Sequence, residues 1–212
     1  MKKLPGSLFI ITGESGAGKT TIVDLIVAAH KHMLRVITCT TRQPRANNGI
    51  MEINDVSYHF LSQEEFATKL ASGEFAEHAP VYKNWYGTLT RDIEATRATA
   101  AIAIAVVDIQ GAETLMRLYP EAHSIFIHVP KAQMEERLRA RGDKDDAAIT
   151  TRLAEYDTEW AKSSLCDEVV INANGKLKEA TSTLVSILEL RRSVDECMAA
   201  TKASRKKVRK ST

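Results

Sequence analysis

The chain has 212 residues, of which 44% are hydrophobic and 26% charged; by length it is one domain with insertions, and by composition it is not disordered, collagen-like or a disulfide scaffold. Its net charge of +2 is uneven: residues 201–212, TKASRKKVRKST, carry six Lys/Arg and no Asp/Glu, and removing them leaves −4 for the rest. No apolar run reaches the roughly 20 residues of a spanning helix, and the scattered Cys39, Cys166 and Cys197 suit free thiols in a reducing compartment, with no CxxC pair for zinc.

The opening MKKLPGSLFIITG carries two lysines and a short apolar stretch, but it leads into a glycine loop and not into a cleavage site, so it is not read as a secretion signal. Ser7–Thr12 is a short β-rich apolar run, Gly13–Thr20 a glycine loop, and Ile22–His30 has apolar residues at helical spacing, which reads strand–loop–helix. Val36–Thr41 is a second β-branched run, and residues 42–57, polar with proline, glycine and asparagines, read as loop. A Ser62-x-x-Glu65 capping box opens a helix over Gln63–Ser72. Gly73–Thr88 is strand-and-turn material rich in aromatics, and Asp92–Ala98 a helix. Ala100–Ile109, Ser124–Val129 and Glu168–Asn172 read as buried parallel strands. Lys131–Arg141 and Asp145–Lys162 are charged helices on either side of an Arg-Gly break, and Leu177–Ala200 is a long C-terminal helix. Apolar strands alternating with amphipathic helices predict an α/β fold with a parallel sheet.

Gly13-Glu14-Ser15-Gly16-Ala17-Gly18-Lys19-Thr20 matches the phosphate-loop pattern G-x-x-x-x-G-K-S/T in full. Glycines let the backbone curl so that successive N–H groups face one anion-sized hollow, and the following helix adds its positive end. Lys19 reaches the β/γ-phosphates, the Thr20 hydroxyl can ligate Mg²⁺, and Thr21 continues the ATP-binding stretch. The Glu14 side chain, a negative charge in an anion site, is expected to point outward. The loop alone leaves open a GTPase switch, a motor-type ATPase or a small-molecule kinase. The Asn-Lys-x-Asp segment that reads guanine in a Ras-type GTPase is absent, and a motor ATPase is usually larger.

A kinase needs an acceptor site. Thr38-Cys39-Thr40-Thr41-Arg42-Gln43-Pro44-Arg45 puts two arginines on one loop, suited to phosphate oxygens. Glu52, Tyr58 and Glu77 follow, then Asn84-Trp85-Tyr86-Gly87-Thr88, then Asp108-Ile109-Gln110-Gly111-Ala112 at a strand end. Taken singly these read as solvated charges, half-buried packing and a helix cap; their joint order behind an intact phosphate loop changes that. From about Leu8 to Leu188 the sequence resembles the guanylate kinases, which move a phosphate from ATP to GMP in purine nucleotide metabolism.

The resemblance implies a P-loop NTPase parallel-sheet core over 1–38, 94–129 and 158–200, a mixed α/β GMP-binding insertion at 39–93, a helical lid at 130–157, and a basic, disordered tail at 201–212. It implies that Arg42, Arg45, Tyr58 and Tyr86 grip the GMP phosphate, with Glu52 counted among the GMP-binding residues. Glu77 would accept from guanine N1–H and the 2-amino group, Thr38 and Thr88 would offer hydroxyls to the base, and Asp108 would be another acceptor. Arg141 and Arg152 match the family's lid arginines, and Arg137 stands one helical turn before Arg141. Their expected task, with Lys19, is to neutralise the γ-phosphoryl group in flight. Mg²⁺ and ATP are the implied cofactor and donor, GMP and dGMP the implied acceptors, and the cytoplasm the implied location. The alternatives are a kinase of the same fold with another phosphorylated acceptor and a non-catalytic binding module of this type.

Three departures from the family pattern stand out. The stretch from Arg45 to Tyr58 is about four residues longer, with the extra residues at Ala46–Met51 and Asp55 at the usual glycine; Val106 replaces an acid two residues before Asp108; and Asn172-Ala173-Asn174-Gly175 replaces the usual adenine-side segment. The tryptophans, methionines and histidines carry no signal beyond packing, and the basic tail, whose charges could meet nucleic acid or an anionic surface, reads as solvated chain.

Overall fold

The structure, a computed structural model, describes residues 5–47, 50–140 and 146–208. In chain order the elements are β1 (Ser7–Gly13), α1 (Lys19–Ala29), β2 (Met33–Arg35), β3 (Cys39–Thr40), β4 (Ala46–Asn47), β5 (Ile50–Met51), β6 (His59–Phe60), α2 (Gln63–Ala71), β7 (Phe75–Val81) and β8 (Asn84–Leu89). They continue with α3 (Thr90–Thr99), β9 (Ile102–Val106), α4 (Ile109–Leu118), β10 (His123–His128), α5 (Lys131–Ala140), α6 (Asp146–Ala161), β11 (Glu168–Ile171) and α7 (Leu177–Val208).

A five-stranded parallel sheet, ordered β11-β10-β1-β9-β2, forms the centre. Its inner strands β10, β1 and β9 are buried on both faces because helices cover both. Along β1, Phe9 and Ile11 enter one core with Ile22 and Ile26 of α1 and Leu184 and Leu188 of α7. Leu8 and Ile10 enter the other, with Ile93 of α3 and Ala112 and Leu115 of α4. Parallel pairing of β1 with β9 and β10 puts their carboxyl ends along one edge, where the connecting loops gather.

The second sheet, β6-β3-β8-β7, lies within residues 39–89 and packs around Cys39, Phe66 and Leu89. The run read as one strand over Val36–Thr41 is divided. Val36 still donates to the Ile104 carbonyl at the edge of the central sheet, whereas Cys39 and Thr40 pair with β8 and β6. The buried Val36 and Cys39 side chains belong to different cores, so the chain must leave one sheet between them. The capping box of α2 forms as read, with the Ser62 hydroxyl accepting from Glu65 N at 3.1 Å and the Glu65 carboxylate from Ser62 N at 2.7 Å.

Two segments differ from expectation. The stretch read as loop over 42–57 contains the β4–β5 hairpin, built from the extra residues. The last helix does not stop near Ala200: α7 runs to Val208, so part of the stretch read as a disordered tail is helical. Residues 209–212 lie outside the described residues.

Candidate active site

The loop between β1 and α1 curls at Gly16 and Gly18, both at φ +86°, a left-handed conformation that glycine adopts without steric cost. The Lys19 ammonium is held at the loop's base by the carbonyls of Gly13 at 2.6 Å and Glu14 at 3.0 Å. Glu14 corrects the expectation made for it. Its side chain is buried and turned inward: one carboxylate oxygen lies 2.7 Å from His128 Nδ1, and the other accepts from Val129 N at 3.3 Å. The loop therefore keeps its anion-facing side clear of this charge. Burial raises the Glu14 carboxyl above its ordinary value, against the pull of His128.

Glu159 of α6, which the sequence did not single out, meets the loop from the other side. Its carboxylate accepts from Ser15 N at 3.3 Å, and burial raises it while Lys19 opposes. Nothing in the local sequence distinguishes Glu159 from other acids on a charged helix.

Beside the loop lies a small cavity of about 140 Å³ lined by Thr38, Tyr58, Glu77, Tyr86, Val106 and Asp108 together with Lys19 and Thr20. Glu77 projects from β7, where it pairs with Thr88 of β8. The Thr88 hydroxyl donates to its Oε1 at 2.5 Å. Burial pushes the Glu77 carboxyl up to about 7; the Thr88 bond opposes this and the nearby Asp108 charge adds to it. Asp108 caps α4, its Oδ1 accepting from Gly111 N at 2.8 Å. Capping and a cavity position are compatible because a carboxylate has several lone pairs. Val106, at the usually acidic position, adds an apolar patch to this wall.

Arg42 joins the cavity through Tyr86, donating Nε–H to the phenol oxygen at 3.1 Å. Its fork meets Glu52 bidentately, Nη1 to Oε2 at 2.8 Å and Nη2 to Oε1 at 3.0 Å. Glu52 also accepts from Arg45 N at 3.0 Å. The β4–β5 hairpin returns the chain so that Glu52 N can donate to the Arg45 carbonyl. Burial by itself would raise the Glu52 carboxyl, but Arg42 and Arg45 hold it below its ordinary value. The Arg42 guanidinium carbon lies 5.4 Å from the centre of the Tyr58 ring. Asp55, at the usual glycine position, takes φ +60°, a conformation that aspartate tolerates.

A larger cleft of about 510 Å³ adjoins it, between the phosphate loop, the β7–β8 turn and α6. Lys19 and Asp108 line both hollows. Across this cleft the Tyr82 hydroxyl donates to Glu155 of α6 at 3.1 Å.

The lid arginines are only partly described. Arg141 and the side chain of Arg152 lie outside the described residues. Arg137 does not line either hollow: its Nη2 donates to the Asn172 carbonyl at 2.7 Å and its Nε to Asn174 Oδ1 at 2.8 Å. Asn172 is buried and donates to the Ala17 carbonyl at 2.7 Å, so this segment is tied to the back of the phosphate loop. Among the described residues there is no cluster of three or more His, Cys, Asp or Glu that could hold a metal by protein ligands alone, and no helix is long and apolar enough to cross a membrane.

Comparisons with known proteins agree on one relationship. The family model described as guanylate kinase matches residues 6–191. A guanylate kinase of Neisseria gonorrhoeae is 38% identical over 184 residues, covering 86% of this chain and 87% of that protein. One of Synechocystis is 35% identical, covering 86% and 93%. Among solved structures, the guanylate kinase of Anaplasma phagocytophilum superposes with a TM-score of 0.67 at 25% identity, over 90% of this chain and 88% of that one.

Proposed function

The chain belongs to the guanylate kinase family, and we infer that it transfers the γ-phosphoryl group of ATP to GMP, giving ADP and GDP. The observation that carries the site assignment is that the two hollows meet at Lys19 and Asp108. A donor bound along the phosphate loop and an acceptor bound in the Glu77 cavity would then face each other where Lys19 stands.

In this reading Glu77, as a carboxylate, accepts from N1–H and the 2-amino group of guanine. Adenine has an acceptor at N1 and no 2-amino group, so it would leave a buried charge unpaired, which is a strong basis for discrimination. Thr38, Thr88 and Asp108 complete the base contacts. Tyr58, Tyr86, Arg42 and Arg45 would take the GMP phosphate, and Glu52 would act through Arg42 by holding its fork. No protein nucleophile is needed, since the acceptor's phosphate oxygen attacks in line. Catalysis is positioning, charge neutralisation and exclusion of water.

Gly13–Thr21 would cradle the donor phosphates. Arg141 and Arg152 would neutralise the moving phosphoryl group, and Arg137, braced on Asn172 and Asn174, would shape the adenine side. The hydroxyl of Thr20, with phosphate oxygens and bound water, is a hard oxygen donor set suited to Mg²⁺; Mg²⁺ there would screen the charge between the β- and γ-phosphates. We assign residues 39–93 as the acceptor-binding unit and 130–157 as the lid. We place the protein in the cytoplasm, in keeping with its three free thiols.

The test is ADP release from Mg²⁺-ATP with GMP, dGMP, AMP, UMP, CMP or no acceptor. GMP-dependent turnover is expected. Turnover only with a different acceptor would overturn the base assignment, and silence with all of them would leave a binding role.

A further inference from the structure

The mechanism above uses the backbone of Glu14 and leaves its side chain without a task. Yet Glu14 is fully buried, directly beneath a loop that must bind a polyanion. A buried carboxylate without partners is costly, and here it has two. His128 Nδ1, at the end of β10, lies 2.7 Å from Oε1, and Val129 N donates to Oε2 at 3.3 Å. The opposite side of the same residue faces the chemistry: the Glu14 carbonyl accepts from Lys19 Nζ at 3.0 Å and from Ala17 N at 3.1 Å.

His128 is in turn held from the other side. Its ring centre lies 4.0 Å from that of Trp160 on α6, with the planes tilted by 38°. One residue before Trp160, Glu159 reaches the Ser15 amide. Near by, the Tyr156 hydroxyl donates to the Val129 carbonyl at 2.8 Å, fixing the backbone that serves Glu14. The C-terminal end of α6 thus packs against the ring that anchors the phosphate loop.

We propose that Glu14 and His128 form a positioning pair for phosphoryl transfer: clamped to the end of β10, the Glu14 side chain sets the peptide plane whose carbonyl holds Lys19 and whose neighbouring amides cradle the phosphates. The inference rests on the kinase reading above and extends it to two side chains that have no substrate contact in that reading. Burial of the carboxylate favours a short, specific contact with His128 over a solvated one. Loss of either partner frees the loop's first turn and leaves the other with an unmet bond.

The experiment uses the full chain and compares wild type with Glu14→Ala, His128→Ala, Glu14→Gln and His128→Asn. Readouts are KM for ATP, KM for GMP, kcat, and the calorimetric Kd of ADP, which needs no acceptor. Both alanine variants are expected to raise KM for ATP and Kd for ADP about tenfold, the cost of one charge-assisted bond, with KM for GMP within about twofold. Glu14→Gln and His128→Asn, which keep hydrogen-bonding atoms in place, should recover most of the loss. If Glu14→Ala does not fold, His128→Ala decides, because His128 lies at the core's edge. Unchanged ADP affinity in His128→Ala, or a parallel rise in both KM values, overturns the pair. A wild type without GMP-dependent turnover would instead sink the kinase reading, while ADP binding still tests the pair.

Discussion

A Cβ placed on Gly111 would lie 2.6 Å from Oε2 of Glu77. The first turn of α4 therefore approaches the buried carboxylate as closely as a bare backbone allows, and Asp108 fixes that approach by capping the same turn through Gly111 N. Strand β7 and the helix that follows the central strand β9 are locked together at the residue expected to read the base.

Gly111→Ala tests this contact. Gly111 has no left-handed φ that alanine could not adopt, so the backbone of the turn itself accepts the change. The added methyl must displace Glu77, and KM for GMP should rise at least tenfold while KM for ATP stays within twofold. Steady-state kinetics with each substrate varied in turn would show it; equal sensitivity of both substrates would contradict the assignment.

The ionisation of Glu77 should govern acceptor binding. Its carboxyl is pushed up to about 7, and only the charged form can accept both guanine donors. KM for GMP should therefore rise as pH falls below about 7, by up to tenfold per unit. Glu77→Gln should remove that dependence and raise KM for GMP at pH 8 by about 100-fold. In the free enzyme the linkage has the opposite sign. A carboxyl held above its ordinary 4.5 favours the folded state at low pH, and that contribution is lost as pH rises from 4.5 to about 7. Thermal unfolding with and without GMP across that window would separate the two effects.

Glu52 should matter through Arg42. Its two oxygens take both terminal nitrogens of the Arg42 fork, leaving the guanidinium plane fixed beside Tyr58 and Tyr86. Glu52→Gln weakens that hold, and KM for GMP should rise about tenfold with kcat within threefold. Arg42→Lys, which keeps charge but loses the fork, should cost more. A Glu52→Gln enzyme with wild-type GMP affinity would leave Glu52 as a loop-closing contact only.

Lys19 is expected to be indispensable to the chemical step. Held by Gly13 and Glu14 carbonyls, its ammonium would, in the proposed transfer, stand where charge develops. Lys19→Met should lower kcat by 10³-fold or more with KM for GMP within about threefold. The comparison with Gly111→Ala, expected to act on KM for GMP, distinguishes donor from acceptor damage.

Some of this was legible because it is local. The phosphate loop is a contiguous run whose backbone demands are written in its glycines, and the capping box of α2 needs only Ser62 and Glu65. The parallel sheet follows from apolar runs ended by polar turns. Order along the chain was enough to nominate Arg42, Glu77 and Asp108, through resemblance. The β4–β5 hairpin was missed because its strands are only two residues long, too short for any alternation to show. The end of α7 was misjudged because a basic, small-residue stretch reads equally well as coil or as helix.

What the chain alone determined is the longer helices, the central strands and the phosphate-loop pattern, since hydrophobic period and glycine placement act over a few residues. What only the folded molecule decided is where charges separated by a hundred residues meet. Glu14 turns inward because the end of β10 brings His128 and Val129 N within reach, 114 and 115 positions away. Arg137 turns to Asn172 and Asn174 because α5 passes over the segment after β11. A side chain's direction is set by the partners that burial forces on it, and those partners exist only once the sheet has aligned its strand ends.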